Sequence, residues 1–148
     1  MFFIYEVLGL IFILFSPLIF LIRIILGKEN PQRFLEKFCI YSKNPNFKKT
    51  IWLHGSSVGE ILSVIPIIKE LEKNKKINKI LLSSSTTSSA HIFSKYKFKK
   101  TTHIYFPIDT NYLTNKFINY WNPKVAIFID SEIWPNMFKN LEKNNIPI

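Results

Sequence analysis

Three short polar segments hold residue types from which a reaction could be built. The first, HGSSVGE (54–60), combines a histidine, two serines and a carboxylate. A carboxylate such as Glu60 can take the proton of a hydroxyl as a new bond forms, which is general-base chemistry. The S-x-x-E spacing of Ser57 and Glu60 equally fits a helix capping box. The two roles are compatible, because a capping glutamate can still face a cleft. Gly55 and Gly59 leave room for a tight turn and a close backbone approach. His54 follows an apolar run and reads either as a satisfied polar residue or as a catalyst.

The second segment, SSSTTSS (83–89), offers hydroxyls and backbone N–H groups ahead of a helix, a place that can hold an anion. A plain Ser/Thr turn accounts for it as well. Neither a P-loop pattern nor G-x-G-x-x-G occurs in the chain. The third segment is DSEIWPN (130–136). Asp130 and Glu132 could orient hydroxyls, accept a proton or bind a metal, or simply complement the dipole of a following helix. Trp134 is either an aromatic wall or packing. His54, His91 and His103 stand at no metal-ligand spacing, and one cysteine, Cys39, excludes both an intramolecular disulfide and a multi-cysteine metal site.

These segments need a scaffold, and the flanking patterns supply one. Thr50 to His54 is a short run rich in β-formers, followed by Ile61, Leu62, Ile65, Ile68 and Leu71 at helical spacing. Further strands are expected at 79–82, 104–106 and 125–129. Between them lie a hydroxyl-rich loop over 83–89, a short helix over 90–96, and a helix capped by Asp109 that carries Leu113, Phe117 and Tyr120. A last helix starts at Pro135, which suits a first turn. Short apolar strands alternating with helices predict an α/β fold, a Rossmann-like parallel sheet with flanking helices. In such sheets ligands bind outside the carboxyl ends of the strands. All three polar segments fall there. Ile146-Pro147-Ile148 looks like the beginning of a fifth strand, so the chain is expected to be the front part of a longer protein.

The N-terminus is different. No residue between Glu6 and Arg23 is charged, and the apolar stretch approaches the roughly 20 residues needed to cross a bilayer core. Residues 1–26 are therefore expected to form an uncleaved membrane anchor helix, with Ser16-Pro17 as a tolerated interruption. An interfacial helix and a buried core helix are the other readings. A signal peptide fits less well, for want of a basic start and a cleavage site. Lys28, Arg33, Lys37 and Lys43 follow the segment and no Lys or Arg precedes it, which puts the remainder in the cytoplasm. Residues 27–49 form a basic juxtamembrane segment with a helical pattern near Pro31 to Phe38 and a linker around Pro45. Residues 50–148 form the α/β domain.

Composition bounds the rest. With 148 residues, 47% hydrophobic and 20% charged, one domain with a real core is possible and general disorder is excluded. The formal charge of +10 suggests an anionic partner. Only Arg23 and Arg33 are arginine, however, and heavy joint use of Lys, Asn, Ile and Phe also fits a coding bias. Specific nucleic-acid readout favours Arg forks, and the aromatics follow core periodicity, so no nucleic-acid partner is expected.

IWLHGSSVGE, SSSTTSS, FPID and NPKVAIFIDSEIWPN, in that order, resemble the N-terminal half of the 3-deoxy-D-manno-octulosonic acid (Kdo) transferases of lipopolysaccharide biosynthesis. The likeness also takes in GKENPQRFLEKF and runs over about residues 20–148. Gly55 and Ser56 fill the gap of the WxHxxSVGE pattern with a mild departure.

The resemblance implies one half of a GT-B glycosyltransferase, two Rossmann-like domains facing a cleft at the bacterial inner membrane. It implies transfer of Kdo from CMP-Kdo to a hydroxyl of a lipid A precursor, without metal or other cofactor. The family's general base falls on Glu60, and the Glu of E-x-WPN falls on Glu132, with a role in positioning acceptor or sugar. His54, Ser56, Ser57, Gly59, Ser85, Thr86 and Trp134 are expected to bind the acceptor. A C-terminal nucleotide-binding domain would hold the donor, and without it these residues are expected not to transfer Kdo. The competing expectation is a non-enzymatic, membrane-anchored module that binds anionic lipid or nucleic acid.

Overall fold

A computed structural model of the chain describes residues 2–42, 50–129 and 132–148. Four strands, β1 (Thr50–His54), β2 (Ile80–Ser84), β3 (Thr101–Tyr105) and β4 (Pro123–Phe128), form one parallel sheet in the order β3-β2-β1-β4. The chain moves outward from β1 to β3, then crosses back to lay β4 on the other side of β1. Strand order reverses at β1, so the cleft for a ligand is expected at the carboxyl ends of β1 and β4.

Alternation along each strand feeds two cores. Trp52 and Leu81 join Phe117, Trp121, Met137 and Leu141 beneath α4 (Asn111–Trp121) and α5 (Pro135–Lys143). Leu53, Ile80 and Leu82 face Ile61, Val64, Ile68 and Phe93 on α2 (Val58–Lys73) and α3 (Thr87–Ser94). Helices on both faces explain why strands read as nearly continuous apolar runs. The α/β class expected from the sequence is the one found.

Several local expectations are corrected. Ser83 and Ser84 are not loop residues but the fully buried end of β2, paired to His54 and Tyr105 neighbours in the sheet. The helix predicted over 90–96 begins earlier, because Thr86 caps α3 by accepting from the Ser89 N–H. Thr110, not Asp109, caps α4. Asp109 instead accepts from the backbone N–H groups of Asn136 (3.1 Å) and Met137 (2.8 Å), so it caps α5 from a distance in sequence. No fifth strand forms among the described residues, although the Pro147 carbonyl accepts the Ala126 N–H of β4 at 2.9 Å. Asp130 and the linker around Pro45 lie outside the described residues.

The first helix, α1 (Phe2–Ile25), contains a stretch from Ile4 to Ile25 long and apolar enough to cross a membrane. Pro17 lacks the N–H that would bond the Ile13 carbonyl, and the Ser16 hydroxyl donates to that carbonyl instead at 2.7 Å. One stripe of α1 docks on the body. The Tyr5 hydroxyl donates to Asp109 at 2.7 Å. A Cβ on Gly9 would stand 3.2 Å from Thr110 Cγ2, so glycine permits close approach there. Ile13 packs on the α4–α5 core, and Phe20 sits on Phe34 and Phe38 with ring centroids 5.9 and 5.3 Å apart. Arg23 then pairs with Glu29 at 3.2 Å. The opposite face, including Leu10, Leu14, Leu18, Leu21 and Ile25, stays exposed. Within the described residues the segment is thus not buried as a core helix.

After α1 the chain makes a short 3-10 turn, Phe34–Phe38, against the sheet edge. The Glu36 carboxylate accepts the Tyr105 N–H of β3 at 2.9 Å, and Arg33 reaches the His103 carbonyl at 2.9 Å. The residues from Gly27 up to 42 are thus part of the folded body.

Candidate active site

The turn between β1 and α2 builds the centre of the site. Ser57 is the N-cap of α2, and its hydroxyl accepts the Glu60 N–H at 3.2 Å while Glu60 Oε1 accepts the Ser57 N–H at 3.3 Å. The capping box read from the sequence is present. Glu60 does more than cap, because its Oε2 also accepts the Ser56 N–H at 2.8 Å. Gly55 leaves room beneath it: a Cβ there would meet the Glu60 Cβ at 3.1 Å, a tight contact. At Gly59 a Cβ would meet only the Ser57 hydroxyl, at 3.9 Å. The exposed first turn of α2 therefore presents bare backbone, where N–H groups have no intrahelical acceptor.

Ser56 links the two carboxylates. Its N–H is held by Glu60, and its hydroxyl donates to Glu132 Oε2. The Ser85 hydroxyl lies 3.0 Å from Ser56 Oγ and donates to it, since the Ser56 proton is directed at Glu132. The Ser89 hydroxyl fixes the same turn by donating to the Ser56 carbonyl at 2.9 Å, and Thr86 Oγ1 in turn lies 2.7 Å from Ser89 Oγ. Hydroxyl bonds thus tie the segments that follow β1, β2 and β4 to one another.

Glu132 is the most strongly perturbed group of the site. Trp134 Nε1–H donates to its Oε2 at 3.2 Å, and His54 Nε2 stands 3.5 Å from the same oxygen. The His54 imidazole, with the Ser56 hydroxyl and the Trp134 indole adding to it, holds the Glu132 carboxyl down to about 2, against partial burial that acts the other way. Glu132 is therefore a fixed anion.

His54 does not line the cleft itself. Its side chain is 1% exposed and lies behind Glu132, between the rings of Phe106 and Phe128. Its other nitrogen, Nδ1, lies 2.9 Å from Ser83 Oγ, which accepts from Trp52 Nε1–H at 2.8 Å. Nδ1 also lies 3.2 Å from the Ser83 carbonyl, so β2 fixes the ring from one side while Nε2 faces Glu132 on the other. Ser83 carries no mark in the sequence beyond lying in a serine-rich stretch, and its part in orienting His54 is visible only once β2 is paired with β1.

Of the expected set, Glu60, Glu132, His54, Ser56, Ser85 and Trp134 come together directly. Ser57, Gly59 and Thr86 shape the helix starts beside them. Lys37, which sequence patterning treated only as juxtamembrane charge, reaches the same place: its Nζ donates to Glu29 at 2.8 Å and to the Ser85 carbonyl at 3.3 Å.

Two carboxylates at the switch point of a Rossmann-like sheet, ringed by hydroxyls and helix N-termini, suit work on a hydroxylated, anionic substrate. Comparison with known proteins agrees. The chain is 36% identical over 125 residues to a 3-deoxy-D-manno-octulosonic acid transferase of Rickettsia bellii, covering 84% of this chain and 30% of that protein. It is 27% identical over 136 residues to the Haemophilus influenzae protein of the same name, covering 89% of this chain and 32% of the relative. A probable mitochondrial 3-deoxy-D-manno-octulosonic acid transferase of Arabidopsis thaliana is 29% identical over 136 residues, 90% of this chain and 30% of the relative. The chain thus spans about a third of the length of these relatives. Residues 32–148, which hold Glu60, Glu132 and the hydroxyls between them, match the family described as 3-deoxy-D-manno-octulosonic-acid transferase (kdotransferase), and the chain belongs to that family.

Proposed function

We propose that this chain is the acceptor side of an enzyme that transfers Kdo from CMP-Kdo to a hydroxyl of a lipid A precursor. The observation that carries the proposal is Ser56, which binds Glu60 through its N–H and Glu132 through its hydroxyl. In the reaction the acceptor oxygen forms a bond to the anomeric carbon of Kdo. The bond from that carbon to the CMP phosphate breaks, and CMP leaves with the electron pair. The hydroxyl proton passes to a base. Glu132, held near 2, is a poor proton acceptor at neutral pH, and a general base works best with a pKa nearer the operating pH. Among the described carboxylates at the cleft, Glu60 is left for the role, and the family resemblance assigns it the same one. Glu132 positions the acceptor or the sugar by accepting hydrogen bonds. The acceptor rests against Ser85, Trp134 and the bare first turn of α2, with His54 supporting Glu132 from behind.

In this reading residues 1–26 attach the protein to the bacterial inner membrane, 27–49 connect, and 50–148 form the acceptor-side domain on the cytoplasmic side. The donor nucleotide would be held by the second Rossmann-like half that the resemblance implies. The test is a chimera in which residues 1–148 replace the matching part of the Rickettsia bellii relative. Kdo transfer from CMP-Kdo to a lipid A precursor, abolished by Glu60→Gln, is expected. Wild-type turnover by the Glu60→Gln chimera would refute the assignment of the base.

A further inference from the structure

A groove of about 550 Å³ runs between α1 and the carboxyl ends of the strands, within the roughly 300–1,000 Å³ of small-molecule sites. The docked stripe of α1 forms its floor contact. The next stripe, Leu8, Phe12, Ile19 and Arg23, forms one wall, and Phe106, Pro107 and Ile108 form the other. From Leu8 to Arg23 the wall is roughly 22 Å long at 1.5 Å per residue. At its inner side the groove meets Ser85 and Trp134, which bond Ser56 and Glu132. At its outer side it is continuous with the exposed apolar face of α1.

We infer that this groove holds a fatty-acyl chain of the acceptor glycolipid while the sugar end of that molecule sits at Ser56 and Glu132. The inference rests on the proposed lipid A acceptor and adds where its hydrocarbon goes. Three features single out this occupant. The walls are apolar over most of their length, so a sugar or nucleotide would bury hydroxyls without partners there. The groove joins a polar reaction site to a membrane-facing surface, the path an amphiphile must take. Two cations stand on its wall, Arg23 and Lys37, and they share one carboxylate, Glu29. Asp109 lies near the Tyr5 end of the groove, so the two cations are gathered at the Arg23 end, where they suit a phosphate of the acceptor's head. Lys37 lies over the rings of Phe20 and Tyr105, which holds its ammonium at the groove rather than in solvent.

The inference is tested by binding of a tritiated, bis-phosphorylated, acylated lipid A precursor to the 148-residue chain in phosphatidylethanolamine nanodiscs. The fully deacylated head group is measured in parallel. Ile19→Trp and Phe12→Trp, two independent fillings of the helix wall, are expected to weaken binding of the acylated precursor about tenfold, roughly 1.4 kcal/mol, and to leave the deacylated form unchanged. Leu14→Trp, on the exposed face, should alter neither. A photo-crosslinking residue at Leu8 should label the acyl chains of the precursor, and excess precursor should displace any phospholipid crosslinked there. Unchanged binding of the acylated form by both fillings, with the head group still saturable, would overturn the groove and leave the proposed acceptor standing. Phospholipid crosslinking that the precursor cannot displace would show a permanent membrane contact and overturn it too. Failure of both forms to bind would remove the acceptor assignment and the groove together.

Discussion

His54 Nε2 lies 3.5 Å from Glu132 Oε2, and the histidine is the buried partner while the carboxylate is the exposed one. The pair is therefore built from the inside outward: the sheet holds the ring, and the ring holds the carboxylate. Its consequence for stability has a definite sign. A carboxyl near 4.5 when unfolded and about 2 when folded favours the fold above pH 4.5, and that contribution drains away as pH falls from 4.5 to 2. Thermal melts of wild type and Glu132→Gln should differ most above pH 4.5 and converge toward pH 2. A difference that stays constant across that window would show that the pair contributes nothing through ionisation.

The dual part of Glu60 separates into two measurements. Glutamine can keep the capping bond but accepts only one of the Ser56 and Ser57 N–H groups, so Glu60→Gln should lower the melting temperature modestly. In the chimera with the Rickettsia bellii relative it should lower the rate by about 10²–10⁴-fold, the usual worth of a general base. Ser57→Ala should do the reverse in kind, costing about 0.5–2 kcal/mol of stability by loss of the cap. If Glu60→Gln spares turnover, the carboxylate is a cap alone.

The two glycines of the turn should respond oppositely. Gly55→Ala places a methyl 3.1 Å from the Glu60 Cβ, so the glutamate must move. Because a displacement of about 1 Å can cost on the order of 10²-fold in rate, a loss of about tenfold in kcat is expected for this smaller shift. Gly59→Ala adds a methyl on the first turn of α2 in ordinary contact with the Ser57 hydroxyl at 3.9 Å. It should raise stability by up to about 1 kcal/mol through the entropy of the unfolded chain. Its expected cost is a higher KM for the acceptor, whose path over the bare turn it narrows. Unchanged KM in Gly59→Ala would remove that residue from the acceptor surface.

Much of this site was legible before folding, and the parts that were not have a common cause. The capping box, the strand ends and the polar segments are local, and Ser57 with Glu60 is found as written. Ser83 looked like loop because hydroxyl-rich runs usually are, yet its side chain is claimed by Trp52 and His54 across a strand pair. Asp109 sat at the right place to cap α4, but Thr110 follows it, and the carboxylate turned to N–H groups 27 and 28 residues away. In both cases a short-range pattern was overruled by a partner that only the sheet topology brings near. Lys37 and Glu29 belong to the same class, since nothing in a basic juxtamembrane stretch announces a contact with Ser85.

The docking of α1 changes what its apolarity means. Tyr5 is bonded to Asp109 near one end and Arg23 to Glu29 near the other, 18 residues apart or about 27 Å of helix. A helix fixed to one folded body at both ends cannot stand across a bilayer unless the body enters it too. With one stripe on the body and the rest exposed and apolar, it is expected to lie in the cytoplasmic interface, immersed on its outer face. Both ends of α1 should then stay on the same side. A single cysteine appended ahead of Met1 and a separate Lys75→Cys variant report this, against a native Cys39 that is buried. In intact cells an impermeant maleimide should label neither, and after lysis it should label both. Labelling of the appended cysteine alone from outside would establish a spanning helix, detach α1 from the body, and take away one wall of the groove beside Ser85 and Trp134.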